Sequence, residues 1–145
     1  MLETAEKRSR NRAEIQDAYK WKLDDIYPDW PAWEKSLAEL ERRVGEYAAL
    51  KGTLSSGPDQ LLKAYELNDS LGQLAYTVYF FPSLKYDEDQ RDNQINGRRQ
   101  QVQALMARWQ EATSWLSPEL LAIPLETIRK WMASRADLAQ YRFAI

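Results

Sequence analysis

Large apolar side chains at Trp33, Leu37, Leu40, Val44 and Tyr47 follow one another at spacings of 4, 3, 4 and 3. This is the period of an α-helix with one buried face, because residues three and four apart lie on the same side of a 3.6-residue turn. The same rhythm returns at Leu67, Leu71, Leu74, Val78 and Phe81. A third stripe, Ile95, Val102, Leu105, Trp109, Ala112 and Leu116, has spacings of 7, 3, 4, 3 and 4. Tyr76 through Phe81 alone suits a strand by propensity, but continuity with the preceding stripe decides for helix. Three stripes of this kind predict an all-α fold, an antiparallel helical bundle-like domain.

Punctuation residues place the helix ends. Asp29 supplies an N-cap oxygen and Pro31 fits a first turn, so the first helix begins there. Gly52 and then Ser55-Ser56-Gly57-Pro58 stop it and start the next, which is predicted over Pro58–Phe81, with Pro82 ending or kinking it. Asp87-Glu88-Asp89-Gln90 offers cap and first-turn carboxylates for the third helix. Ser117-Pro118-Glu119 reads as a stop and restart. A short helix through Leu120 and Leu121 then meets Pro124, and another carries Ile128, Trp131 and Met132. Residues Asp137 to Ile145 look like the opening of a further helix that the sequence does not finish. Upstream, Tyr19, Trp21, Leu23, Ile26, Tyr27 and Trp30 form an extended or irregular aromatic segment, since Pro28 disfavours helix at Tyr27. Residues 1–18 read as a flexible polar arm, and residues 19–145 as the helical domain.

Composition restricts the chemistry. The 145 residues fit one domain, and they include neither histidine nor cysteine. Serine–histidine triads, cysteine–histidine dyads and H-E-x-x-H zinc helices are therefore excluded within this sequence. A net charge of -2 lacks the basic excess of a nucleic-acid domain, and the arm's Lys7, Arg8, Arg10 and Arg12 have no interleaved aromatics, so they read as solvated. No nucleic-acid partner is expected. The polar start has no secretion signal, which predicts a cytoplasmic protein, and the apolar stretch Leu74–Phe81 is too short to span a membrane.

Asp87, Asp89 and Asp92 resemble the start of a calcium loop, but Arg91 and Asp92 occupy the fifth and sixth positions, where a ligand and glycine are needed. Asp24-Asp25 and Glu39/Glu41 are residue types that can act as an acid–base pair, but nothing in the sequence shows that they converge, and they read as surface carboxylates. The glycines are isolated, without a phosphate-cradling pattern, and Asn68-Asp69-Ser70 matches a glycosylation acceptor inside a predicted helix. Trp33, Trp109 and Trp131 sit on apolar stripes. Tyr76, Tyr79, Phe80 and Tyr86 surround the end of the second helix, and core packing is the favoured reading. The alternative is an exposed aromatic surface for a peptide or another domain.

Four ordered blocks resemble a known family. Tyr19-Lys20-Trp21-Lys22-Leu23-Asp24-Asp25-Ile26-Tyr27-Pro28 is followed by Trp33-Glu34, then Leu84-Lys85-Tyr86-Asp87-Glu88-Asp89. Ala112-Thr113-Ser114-Trp115-Leu116-Ser117-Pro118-Glu119-Leu120-Leu121 comes last. Together they are similar to the N-terminal helical domain of oligoendopeptidase F, of the thimet oligopeptidase group of zinc metallopeptidases. The resemblance implies a parent whose C-terminal catalytic domain carries H-E-x-x-H and a downstream glutamate that hold zinc. It implies an N-terminal domain that walls a channel admitting short peptides, with that catalytic domain as its partner. No catalytic or metal-binding position carries over, zinc is expected only outside this sequence, and the peptide contacts are unassigned. A self-standing helical interaction module is the alternative.

Overall fold

The computed structural model describes residues 12–145. Five α-helices carry the fold: α1 (Trp30–Ala48), α2 (Pro58–Glu88), α3 (Asn93–Thr113), α4 (Leu116–Ala122) and α5 (Leu125–Ser134). Short 3-10 turns connect or precede them, and no strand occurs among the described residues. The fold is all-α, as the periodicity predicts.

α1 begins at the expected cap: Asp29 Oδ1 accepts the Ala32 N–H at 2.8 Å. Its buried residues are Trp33, Leu37, Leu40, Val44 and Tyr47, the whole predicted stripe. Gly52 (φ 82) and Gly57 (φ 148) turn the chain towards α2 in backbone conformations that a β-carbon would resist. Trp33, early in α1, meets Val78, late in α2, while Leu50 shares a groove with Lys63 near the start of α2. The two helices are therefore antiparallel. α3 reverses direction again, with Arg99 over the Tyr86 ring and Thr113 beside Asn68. Arg98–Glu34 at 3.3 Å and Arg108–Glu41 at 2.6 Å bridge α3 to the parallel α1. The three helices pack pairwise around a core in which Trp33, Leu40, Tyr47, Leu61, Leu71 and Val78 are 0% exposed.

α2 departs from expectation. It continues through Pro82 to Glu88 instead of ending near Phe81. Proline has no N–H, so the carbonyl four residues earlier, that of Val78, loses its helical donor. Trp33 replaces it: the indole Nε1–H donates to Val78 O at 2.9 Å from the neighbouring helix. The buried set of α2 also differs from the simple stripe. Leu71, Val78 and Phe81 are buried, but Leu67 and Leu74 are only partly so, while Leu61, Ala64, Tyr65, Ala75 and Pro82 join the core. α2 is central, contacting α1, α3, α5 and several turns, and a helix covered on more than one side shows no single stripe.

Other helix ends are corrected too. The α3 cap is Asp92, whose Oδ1 accepts from Gln94 N at 2.8 Å and Ile95 N at 3.1 Å; Asp87 and Glu88 close α2 instead. Ser117 lies inside α4 and makes no capping bond there. Glu119 reaches across to accept the Gly52 N–H, which ties α4 to the α1–α2 turn. After α5 the expected further helix is a single turn, Leu138–Tyr141, capped by Asp137. It is clasped to α2 by the stacked Tyr65 and Tyr141 rings, 4.9 Å apart, by Tyr65 OH donating to Ala144 O and by Tyr141 OH donating to Asp69.

The aromatic segment before α1 is irregular, as predicted. Leu23 and Tyr27 are buried, Tyr27 OH shares a 2.9 Å hydrogen bond with Thr77 Oγ1, and its ring meets Phe81 edge-on at 5.3 Å. Tyr19 and Trp21 stay exposed. Lys7, Arg8 and Arg10 lie outside the described residues; Arg12 pairs with Glu88 at 2.6 Å and donates to Trp21 O.

Candidate functional site

The carboxylates weighed as acid–base or metal groups do not converge. Asp24 stands 4.0 Å from Lys85 Nζ, and Asp25 pairs with Lys22 at 2.6 Å. Glu39 is held by hydrogen bonds from Arg42 and Arg43, which bring its carboxyl down to about 2, and Glu41 pairs with Arg108 instead. Asp89 forks onto Arg91, whose hydrogen bonds bring its carboxyl to about 2, while Asp92 is consumed in capping. Among the described residues no three acidic side chains group as metal ligands. With no imidazole or thiolate anywhere in the sequence, the donor set does not fit a zinc ion. No helix among the described residues is long and apolar enough to cross a membrane. Asn68-Asp69-Ser70 is helical, and Asp69 is engaged by Tyr141.

What remains is a surface. On α2, Tyr76 is 65% exposed, Tyr79 39% and Phe80 37%. The rings touch: Tyr76 and Phe80 centroids are 4.4 Å apart, Tyr79 and Phe80 5.3 Å. Core packing, the favoured sequence reading, fails for these three, because Leu71, Val78 and Phe81 already occupy the inward side of the same turns. Tyr86, the fourth candidate, is partly covered by Arg99, whose guanidinium lies 4.1 Å from its ring centre. Trp109 and Trp131 are partly buried against the core, and Trp33 fully.

Beside the rings, α2 and α3 form a groove of about 400 Å³ lined by Asn68, Tyr79, Met106, Trp109, Gln110 and Thr113. No charged side chain lines it. The sequence holds the matching signal, since no residue from Ser70 through Leu84 is charged although 29% of the chain is. A second hollow, lined by Leu120, Leu121, Leu125, Ile128 and Ile145, leaves Leu121 85% exposed. Tyr47 OH is buried without an acceptor, and burial, with Tyr65 nearby, pushes its hydroxyl up to about 12. It is a core group and not part of any cleft described above.

No protein-family model matches the chain. Among curated proteins, it is 25% identical over 135 residues to oligopeptidase PepF of Bacillus subtilis, covering 93% of this chain and 20% of that protein. To the plasmid-borne oligoendopeptidase F of Lactococcus lactis subsp. cremoris it is 29% identical over 137 residues, covering 92% of this chain and 22% of the relative. The chain thus spans about a fifth of the length of the curated relatives it matches. The crystal structure of oligoendopeptidase-F from Enterococcus faecium has the same fold over 79% of this chain and 22% of its own, with a TM-score of 0.68 at 24% identity. The resemblance to the N-terminal domain of oligoendopeptidase F, read from four ordered motifs, is thereby borne out by relatives that align with nearly the whole chain and by a shared all-α fold.

Proposed function

We propose that this chain is the non-catalytic N-terminal domain of a zinc metallo-oligoendopeptidase, one wall of a channel that admits short peptides and excludes folded proteins. The supporting observation is the length relation: more than nine-tenths of the chain aligns with about a fifth of proteins named oligopeptidase or oligoendopeptidase. A parent of that size has room for the metal-binding helix that a sequence without His or Cys lacks. Zinc, held by the catalytic domain, supplies Lewis-acid activation of water and of the scissile carbonyl. The residues here supply shape, a rigid helical wall with an uncharged aromatic face. The parent works in the cytoplasm, and the chain's partner is the catalytic domain of the same polypeptide.

The purified chain is expected to carry no stoichiometric zinc by atomic absorption and to leave an internally quenched peptide intact. Chelator-sensitive hydrolysis by this polypeptide would overturn the assignment. The exposed rings of Tyr76, Tyr79 and Phe80 favour one second reading, a self-standing interaction module. The reading frame beyond codon 145 separates the two: an immediate stop supports the module, and a frame reaching H-E-x-x-H supports the domain.

A further inference from the structure

We infer that the groove between α2 and α3 is a binding subsite for an extended peptide segment that bears an apolar side chain and no acidic one. This deepens the channel-wall reading and rests on it. The rings of Tyr76, Tyr79 and Phe80 form one contiguous exposed cluster, and Tyr79 also lines the groove. Its volume of about 400 Å³ lies within the range of small-ligand pockets. Asn68 and Gln110 line it with carboxamides that make no side-chain hydrogen bond among the described residues. A carboxamide presents one acceptor and one N–H donor edge, the same pair that a peptide group offers, so each can meet a backbone unit of an extended chain in both senses. Thr113 Oγ1 donates to Gln110 O at 3.1 Å and keeps lone pairs for a further donor.

Charge narrows the occupant. Carboxylates find no counter-ion here, since the charged residues next to Asn68 and Gln110 are the acidic Asp69 and Glu111. Arg108 on α3 turns to Glu41 of α1. A segment with acidic side chains would lose hydration without compensation, whereas a neutral backbone with an aromatic or aliphatic side chain against the rings loses little.

The test follows the six tryptophan indole N–H signals of the 15N-labelled chain by NMR. The Trp109 signal is assigned by its loss in Trp109→Phe. The probe is an N-acetylated, C-amidated pentapeptide of alanine with a central phenylalanine, and its counterpart carries aspartate on both sides of that phenylalanine. The neutral probe is expected to shift the Trp109 signal saturably at millimolar concentration, and the acidic one at least about ten-fold more weakly. Tyr76→Ser/Phe80→Ser, which alters only exposed rings, is expected to weaken the neutral probe by about ten-fold while the other indole signals keep their positions. No shift of Trp109, shifts confined to other indoles, equal response to both probes, or signals that move with protein concentration before peptide is added would overturn the subsite. The last of these outcomes assigns the face to a second copy of the chain. Zinc content and the downstream reading frame judge the domain assignment separately, so a failure here is not a failure there.

Discussion

Trp33→Phe isolates the device that lets α2 cross Pro82. The indole is 0% exposed, and its N–H is the donor given to Val78 O, at 2.9 Å, in place of the absent proline N–H. A buried carbonyl left without a donor costs about 1–3 kcal/mol. The smaller ring adds roughly 1 kcal/mol of lost packing, so the variant should lose about 2–4 kcal/mol, or about 5–15 °C in Tm for a chain of this size. Pro82→Ala supplies the control. A backbone N–H introduced at position 82 meets the Val78 carbonyl within the helix, so Trp33→Phe in that background retains only its packing cost. The double-mutant cycle should therefore give a coupling of about 1–3 kcal/mol between residues 33 and 82, measured by urea unfolding followed in the far-ultraviolet CD with m unchanged. Equal cost of Trp33→Phe in both backgrounds, within about 0.5 kcal/mol, would refute the reasoning.

Three further outcomes are expected. Asp29→Ala should lose about 1 kcal/mol because it strips the α1 cap, whereas Ser117→Ala, which removes no capping bond, should change the urea midpoint little; similar losses would refute the α4 start described above. Glu39 has its carboxyl lowered from 4.5 to about 2 by Arg42 and then Arg43, so its stabilising effect is present above pH 4.5 and is lost as pH falls towards 2. Glu39→Gln should flatten the fall of the urea midpoint across that window, slightly, since the pair is solvent-screened. Tyr47→Phe removes a buried hydroxyl that has no acceptor and should be neutral or stabilising by up to about 1 kcal/mol in thermal melts. The unfolded tyrosine ionises near pH 10 and the folded one near 12, so the wild-type chain loses stability as pH rises through that interval, and the variant should lose less.

The parts of the fold legible in the sequence are those decided within one helix turn. α1 is buried through all five stripe residues and starts at its predicted aspartate, because one face and one cap suffice to define a helix with a single covered side. Local chemistry does not single out Asp92 as the α3 cap, because the polar residues Asp87 to Gln90 just upstream offer equally good caps; the path of the chain leaving α2 selects Asp92. The aromatic face was legible only as an open alternative. Tyr76, Tyr79 and Phe80 read first as core, because rings of that size are most often buried, and the direction of α2's neighbours, which decides otherwise, is not a local property.

The sequence by itself determined that the chain is all-α, that it holds no imidazole or thiolate chemistry, and that its motifs resemble one region of a longer peptidase. Periodicity, residue inventory and order along the chain are local properties, and they survive without coordinates. Only the tertiary structure decided that α2 passes Pro82, which side of α2 is left to solvent, and that Asn68 and Gln110 meet across one groove. Each of these depends on a partner distant in sequence, such as Trp33 for Val78 or α3 for α2, and a hydrogen bond or a groove wall exists only once packing has brought the two sides together.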